Sequence, residues 1–144
     1  MRYPEQLIQP MREDLARHGV DETRTAEEVD KVLLTSGDST VLMVVNSVCG
    51  CAAGKARPGI LEALKSPVRP DRAATVFAGG DLEATARVRE LSEQPPSSPS
   101  VFLFRGGKVI YAMHRHQIET RDAFQIAATL KQAFEQHCVR PVAE

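Results

Sequence analysis

Val41-Leu42-Met43-Val44-Val45-Asn46-Ser47-Val48-Cys49-Gly50-Cys51-Ala52-Ala53-Gly54-Lys55-Ala56 is the stretch whose reading decides the fold. Its first five residues are wholly apolar and rich in β-branched side chains. That composition suits a strand buried on both faces, inside a sheet covered by helices. Two thiols separated by one glycine then stand where the strand gives way to a helix. A helix N-terminus carries unpaired N–H groups and a partial positive charge, so it favours an anion. A thiolate there is stabilised, and the thiolate is the form that attacks disulfides.

Upstream, Leu7, Ile8, Met11 and Leu15 recur at helical spacing, which predicts a helix from Pro4 to His18 that Gly19 ends. Thr25-Ala26-Glu27-Glu28 has the form of a capping box for a second helix reaching about Leu34, with Val29, Val32 and Leu33 as its apolar stripe. Downstream, a helix is expected from Cys51 to Lys65, bent near Arg57-Pro58 because proline removes a helical hydrogen bond. Ala74 to Ala78 reads as a second strand, and Asp81 as the cap of a helix to about Ser92. Gln94-Pro95-Pro96-Ser97-Ser98-Pro99-Ser100 interrupts regular structure. Val101–Phe104 and Val109–Ala112 flank Arg105-Gly106-Gly107-Lys108, a hairpin signal. A long amphipathic helix from His116 to Cys138 follows, with Ile118, Phe124, Ile126, Ala127, Leu130 and Phe134 as its apolar positions.

From Val41 onward the order is strand, helix, strand, helix, hairpin, helix. Strands joined through helices are parallel, and a hairpin adds antiparallel ones, so the sheet is mixed. With cysteines at the first strand-to-helix turn, this is an α/β, thioredoxin-like pattern: a mixed central sheet flanked by helices, with extra N-terminal helices. The 144 residues fit one domain, with residues 1–36 as a helical extension and 139–144 as a loose tail.

Composition narrows the function. A formal net charge of -1 argues against a nucleic-acid partner. No apolar stretch approaches the ~20 residues of a membrane span, and Met1-Arg2-Tyr3-Pro4-Glu5 lacks the apolar core of a signal peptide. The expected location is the cytoplasm, where a close cysteine pair is catalytic or metal-binding more often than structural. A metal site built from Cys49, Cys51 and either His116 or Cys138 is the competing reading, as is a thioredoxin-like adaptor without turnover. Zinc ligands usually come in pairs spaced by two to four residues, and no second pair is present here. No cofactor is expected.

The chain also resembles the bacilliredoxins, bacterial thioredoxin-fold proteins with Cys-Gly-Cys in place of Cys-x-x-Cys. The resemblance runs from about Pro10-Met11-Arg12 to His137-Cys138 and is densest over residues 44–54. It continues through Val76-Phe77-Ala78-Gly79, Ala84-Thr85-Ala86, Ser97-Ser98-Pro99-Ser100 and Arg115-His116. It implies removal of bacillithiol from mixed disulfides on cytosolic proteins, with weak disulfide reductase or isomerase activity. The implied partners are S-thiolated client proteins and a low-molecular-weight thiol. It further implies a cis Ser98-Pro99 bond lying against the cysteines, with the backbone of Ser98 placed to pair with an incoming substrate strand.

Individual residues take roles within that chemistry. Cys49 precedes the helix and is the expected attacking thiol; Cys51, inside the first turn, is the expected resolving thiol. Gly50 tolerates the backbone that so small a disulfide ring demands, so the couple is expected to be more oxidising than thioredoxin's ~-270 mV. Asn46 and Ser47 either donate hydrogen bonds to the thiolate or cap the helix. Lys55 and Arg57 either add positive potential near an anionic substrate or are solvated surface charges. His114 and His116 suit proton shuttling or a structural role, the latter being favoured. Cys138 is read as a small structural hydrophobe rather than an intermolecular linker or auxiliary redox thiol.

Overall fold

In the computed structural model, residues 2–138 are described, and five strands form one sheet. They are β1 (Asp21–Glu22), β2 (Thr40–Asn46), β3 (Arg72–Phe77), β4 (Ser100–Arg105) and β5 (Lys108–Met113), in the order β1-β3-β2-β4-β5. β3 runs parallel to β1 and β2, whereas β4 is antiparallel to β2, and β5 to β4. The central strand is the apolar run itself, and every residue of β2 is buried. Gly106 and Gly107 turn the β4–β5 hairpin at φ +60° and +77°, a conformation that a β-branched residue would resist.

The helices are α1 (Glu5–Ala16), α2 (Ala26–Leu34), α3 (Arg57–Ala63), α4 (Leu82–Ser92), α5 (Arg115–Glu119) and α6 (Ala123–His137). Alternation along the strands sends Leu42, Val44, Val101 and Leu103 to one face, against Leu15, Ile60, Ile126, Leu130 and Phe134. Val41, Met43, Val45, Phe102 and Phe104 face the other way, against Val29, Leu33, Ala84 and Val88. The residue period of two thus builds two cores on one sheet. Among the described residues no helix is long and apolar enough to cross a membrane. The tail at 139–144 lies outside the described residues.

The structure departs from the sequence reading in several places. The N-terminal segment is not wholly helical, because Asp21–Glu22 joins the sheet edge beside β3. In α1, Ile8 and Leu15 point inward as expected, but Leu7 is exposed and Arg12 is buried. Arg12 donates to both carboxylate oxygens of Asp81 at 2.8 Å, and its Nε donates to Glu5 at 3.0 Å. Burial alone lowers its pKa, but the bonds to Asp81 and Glu5 outweigh this and raise it. A buried guanidinium is tolerated because it is paired. Asp81 does precede α4, yet its side chain makes no cap bond; it accepts the Phe77 N–H at 3.0 Å and holds Arg12 instead.

The expected bend near Arg57-Pro58 is a π-helical turn, Ala52–Ala56, running directly into α3. Pro58 has no N–H to give the preceding turn, and the helical register changes just before it. The single long C-terminal helix is in fact two. Asp122 accepts the Gln125 N–H at 2.8 Å, and the Gln125 side chain accepts the Asp122 N–H at 2.9 Å, so a capping box restarts the helix. The restart carries Phe124 outward, 82% exposed, while Ile126, Ala127, Leu130 and Phe134 remain inside.

Candidate active site

β2 ends at Asn46, and the next helical turn begins at Gly50, so Cys49 occupies the capping position. Its carbonyl accepts the N–H of Ala52 at 2.9 Å and of Ala53 at 3.3 Å. Its sulfur accepts the Cys51 N–H at 3.4 Å, the place a serine or aspartate oxygen would take in an ordinary N-cap. The two thiols are unbonded and half-buried. Partial burial pushes the Cys49 thiol up; the Cys51 N–H and thiol, the Arg115 charge and the Ala52 N–H together outweigh it, and the net direction is down. Cys51 moves up, because its thiol is engaged by Cys49 and because it is partly buried and lies beside the Cys49 and Glu119 charges. The pair is therefore unequal before any substrate arrives.

Neither Asn46 nor Ser47 donates to the sulfur. Ser47 Oγ accepts the Cys49 N–H at 3.1 Å, and Asn46 Oδ1 accepts the Ser47 N–H at 2.9 Å. Asn46 Nδ2 reaches the Met11 carbonyl of α1 at 3.1 Å. Their work is to fix the turn that aims Cys49. Gly50 is exposed, its φ is not positive, and open space stands where a Cβ would be. In this dithiol form nothing around Gly50 demands glycine.

Arg57 is neither solvated nor directed at substrate. It is 4% exposed, and its Nη1 donates to Asn46 Oδ1 at 3.0 Å and to the Ser47 carbonyl at 3.1 Å. Its Nε donates to Asp14 at 3.2 Å, tying α1 to the cysteine turn from below. Burial lowers its pKa more than the Asp14 carboxylate restores it. Lys55 Nζ donates to the Glu119 carbonyl at 2.7 Å and so stitches the π turn to the end of α5.

The Ser98–Pro99 peptide is cis, as the resemblance implies, and Pro99 is buried. Val45 pairs with Ser100, so the antiparallel register sets Pro99 level with Asn46, at the end of β2 that carries the cysteines. His114 holds the loop ahead of it. Its Nδ1 meets Ser97 Oγ at 3.1 Å and its Nε2 meets Gln94 Oε1 at 3.0 Å, while its ring stacks on His116 at 6.1 Å. Burial, with the His116 charge, lowers its pKa. Both ring nitrogens are engaged within the protein, so His114 is a structural residue.

Arg115 is the residue the sequence reading passed over. Its charge acts on both thiols, and its Nη1 donates to the Ser98 carbonyl at 3.2 Å. The Arg115-His116 pair lies within the resembling segments, but no local signal ties Arg115 to Cys49, which is 66 residues earlier in the chain. Cys138, in turn, is far from Cys49. It packs on the core near Thr40, at the opposite end of a seven-residue strand and hence about 20 Å away. It cannot complete a metal set with the pair, and among the described residues no three His, Cys, Asp or Glu side chains are grouped to hold a metal ion.

Comparison with known proteins agrees with this geometry. The family described as disulphide isomerase matches residues 3–138. The thioredoxin of Fasciola hepatica shares the fold, with a TM-score of 0.58 at 16% identity over 82% of this chain and 99% of that one. Fold, family and site define a thioredoxin-fold thiol–disulfide oxidoreductase. A bacilliredoxin of Salinibacter ruber is 51% identical over 140 residues, covering 96% of this chain and 82% of that one. One from Koribacter versatilis is 52% identical over 137 residues, covering 94% of each. The chain belongs to the bacilliredoxin family.

Proposed function

We propose that this protein removes a low-molecular-weight thiol of the bacillithiol type from mixed disulfides on cytosolic client proteins, with weaker disulfide reductase and isomerase activity. The observation that carries this reading is the unequal pair: Cys49, its sulfur capping a helix start, is pushed down, and Cys51 is pushed up. The name borne by the relatives supports the small thiol as substrate, and the matching family supports the isomerase component.

In the reaction, Cys49 thiolate attacks a sulfur of the mixed disulfide, a new S–S bond forms to Cys49, and the old bond breaks with release of a thiolate. Cys51 then gives up its proton and attacks the Cys49 sulfur. The Cys49–Cys51 disulfide closes and the captured thiol leaves, so two electrons pass from the dithiol to the mixed disulfide. An extended client segment would pair with the backbone of Ser98 beside Pro99. S-thiolated proteins and the small thiol are the partners, in the cytoplasm, with neither nucleic acid nor membrane involved and no cofactor required.

The test is single turnover of the reduced protein on a client capped with a small thiol. Cys49→Ser is expected to abolish release of the cap, and release at full rate would remove Cys49 from its role. Cys51→Ser is expected to accumulate a mixed disulfide on Cys49.

A further inference from the structure

A mixed disulfide offers two different sulfurs to Cys49. Attack on the small-thiol sulfur frees the client at once, whereas attack on the client sulfur produces a protein–protein disulfide that must then be resolved. Leaving-group pKa and access set a first preference between them, and a charge fixed beside the thiolate adds to it.

Arg115 is such a charge. It begins α5, and its guanidinium is held from two sides: Nε donates to Glu119 Oε1 at 2.8 Å, and Nη1 to the Ser98 carbonyl at 3.2 Å. Those anchors are a helix that packs against the π turn after Cys51 and the residue preceding cis Pro99. Nη2 has no hydrogen-bond partner among the described residues, and the side chain is 46% exposed. Lys55, the other nearby cation, is already committed to the Glu119 carbonyl. A guanidinium edge with unspent donors matches a carboxylate in planar geometry.

We propose that Arg115 is the specificity-determining residue that selects the sulfur: its Nη2 edge takes a carboxylate on the small-thiol half of the mixed disulfide and seats that half over Cys49. This rests on the proposed function. Cys49 then forms its S–S bond to the small-thiol sulfur, the bond between client and small thiol breaks, and the client leaves as a thiolate that takes a proton from water. One S–S bond is broken and one is formed, the Cys49 thiolate going in and the client thiolate coming out, so no outside reductant enters this step.

The test uses reduced protein carrying Cys51→Ser and Cys138→Ser, so that Cys49 is the one reactive thiol. It is mixed with a single-cysteine client capped either by mercaptosuccinate, which is anionic, or by mercaptoethanol, which is neutral. Intact mass in the first turnover reads the ratio of small-thiol adduct to client conjugate on Cys49. With the anionic cap, adding Arg115→Gln is expected to lower that ratio about fivefold, Arg115→Lys to restore part of it, and added salt to reduce it. With the neutral cap the ratio is expected to be the same with and without the substitution. Loss of Arg115 also weakens Cys49 as a nucleophile, but that slows both attacks alike and cancels in the ratio. A ratio unmoved with the anionic cap, or moved equally with both caps, overturns the inference and leaves the proposed function standing. If neither adduct forms on Cys49, the proposed function fails, and this inference with it.

Discussion

Cys49 and Cys138 stand at opposite ends of the same central strand, and both are half-buried, yet their thiols are driven in opposite directions. At Cys138 burial is the largest influence and pushes the thiol up; the Thr40 hydroxyl and the Arg105 charge pull the other way without prevailing, and Asp71 adds to the rise. At Cys49 a slighter burial is overcome by N–H groups at a helix start, by the Cys51 thiol and by a cation. The donors and the cation aimed at Cys49, set against the deeper burial of Cys138, drive the two thiols apart.

The widest separation expected between the two ends is in turnover. Cys49→Ser abolishes release of a small-thiol cap, while Cys138→Ser leaves the rate within about twofold, the range of a substitution remote from the chemistry. A comparable loss at Cys138 would erase the contrast. Next in size is the support beneath Cys49. Arg57→Met removes the bonds to Asn46, Ser47 and Asp14 and strands buried acceptors, at about 1–3 kcal/mol in urea unfolding. It is also expected to raise the pH at which Cys49 is alkylated without moving that of Cys138; unchanged profiles at both would show that the buried network positions nothing.

The pH profiles themselves come third. Alkylation of Cys49 by iodoacetamide is expected to titrate below the ordinary thiol value of ~8.5, and that of Cys51 and Cys138 above it. The sign for stability follows. A thiol lowered in the fold contributes stability that is present above its unfolded pKa and lost as pH falls through the folded one. Cys138, raised in the fold, contributes below the unfolded pKa and loses its contribution as pH rises. Site-resolved mass spectrometry across pH separates the three thiols, and equal midpoints for Cys49 and Cys138 would break the comparison. The smallest effect is in potential. A small ring and a stabilised Cys49 thiolate both favour the dithiol, so the couple is expected above thioredoxin's ~-270 mV in glutathione-buffer titration. A value below it would refute both arguments.

Much of this was legible in local sequence because the signals are local. Val41–Val45 carries its burial in its composition, Thr25 with Glu28 writes its own cap, and Gly106-Gly107 writes its turn. Asp122 with Gln125 is an equally local signal, masked by apolar positions on either side that read as one continuous helix. The active cysteines were legible for the same reason, since strand, thiol and helix start are neighbours in the chain.

By itself the sequence determined that a buried strand ends, two thiols follow and a helix starts. Each of those depends on residues within a few positions of one another. Only the tertiary structure decided what surrounds the thiols, because those partners are distant in the chain. Arg57 is buried because Asp14, 43 residues away, waits on α1. Arg12 replaces an apolar contact because Asp81, 69 residues away, shares its burial. Arg115 reaches the site through Ser98 across the β4–β5 hairpin, and Cys138 is set apart from Cys49 by the length of the strand that lies between them. Charge is long-ranged and cheap to place on a surface, so its destination is written in the fold rather than in the neighbouring residues.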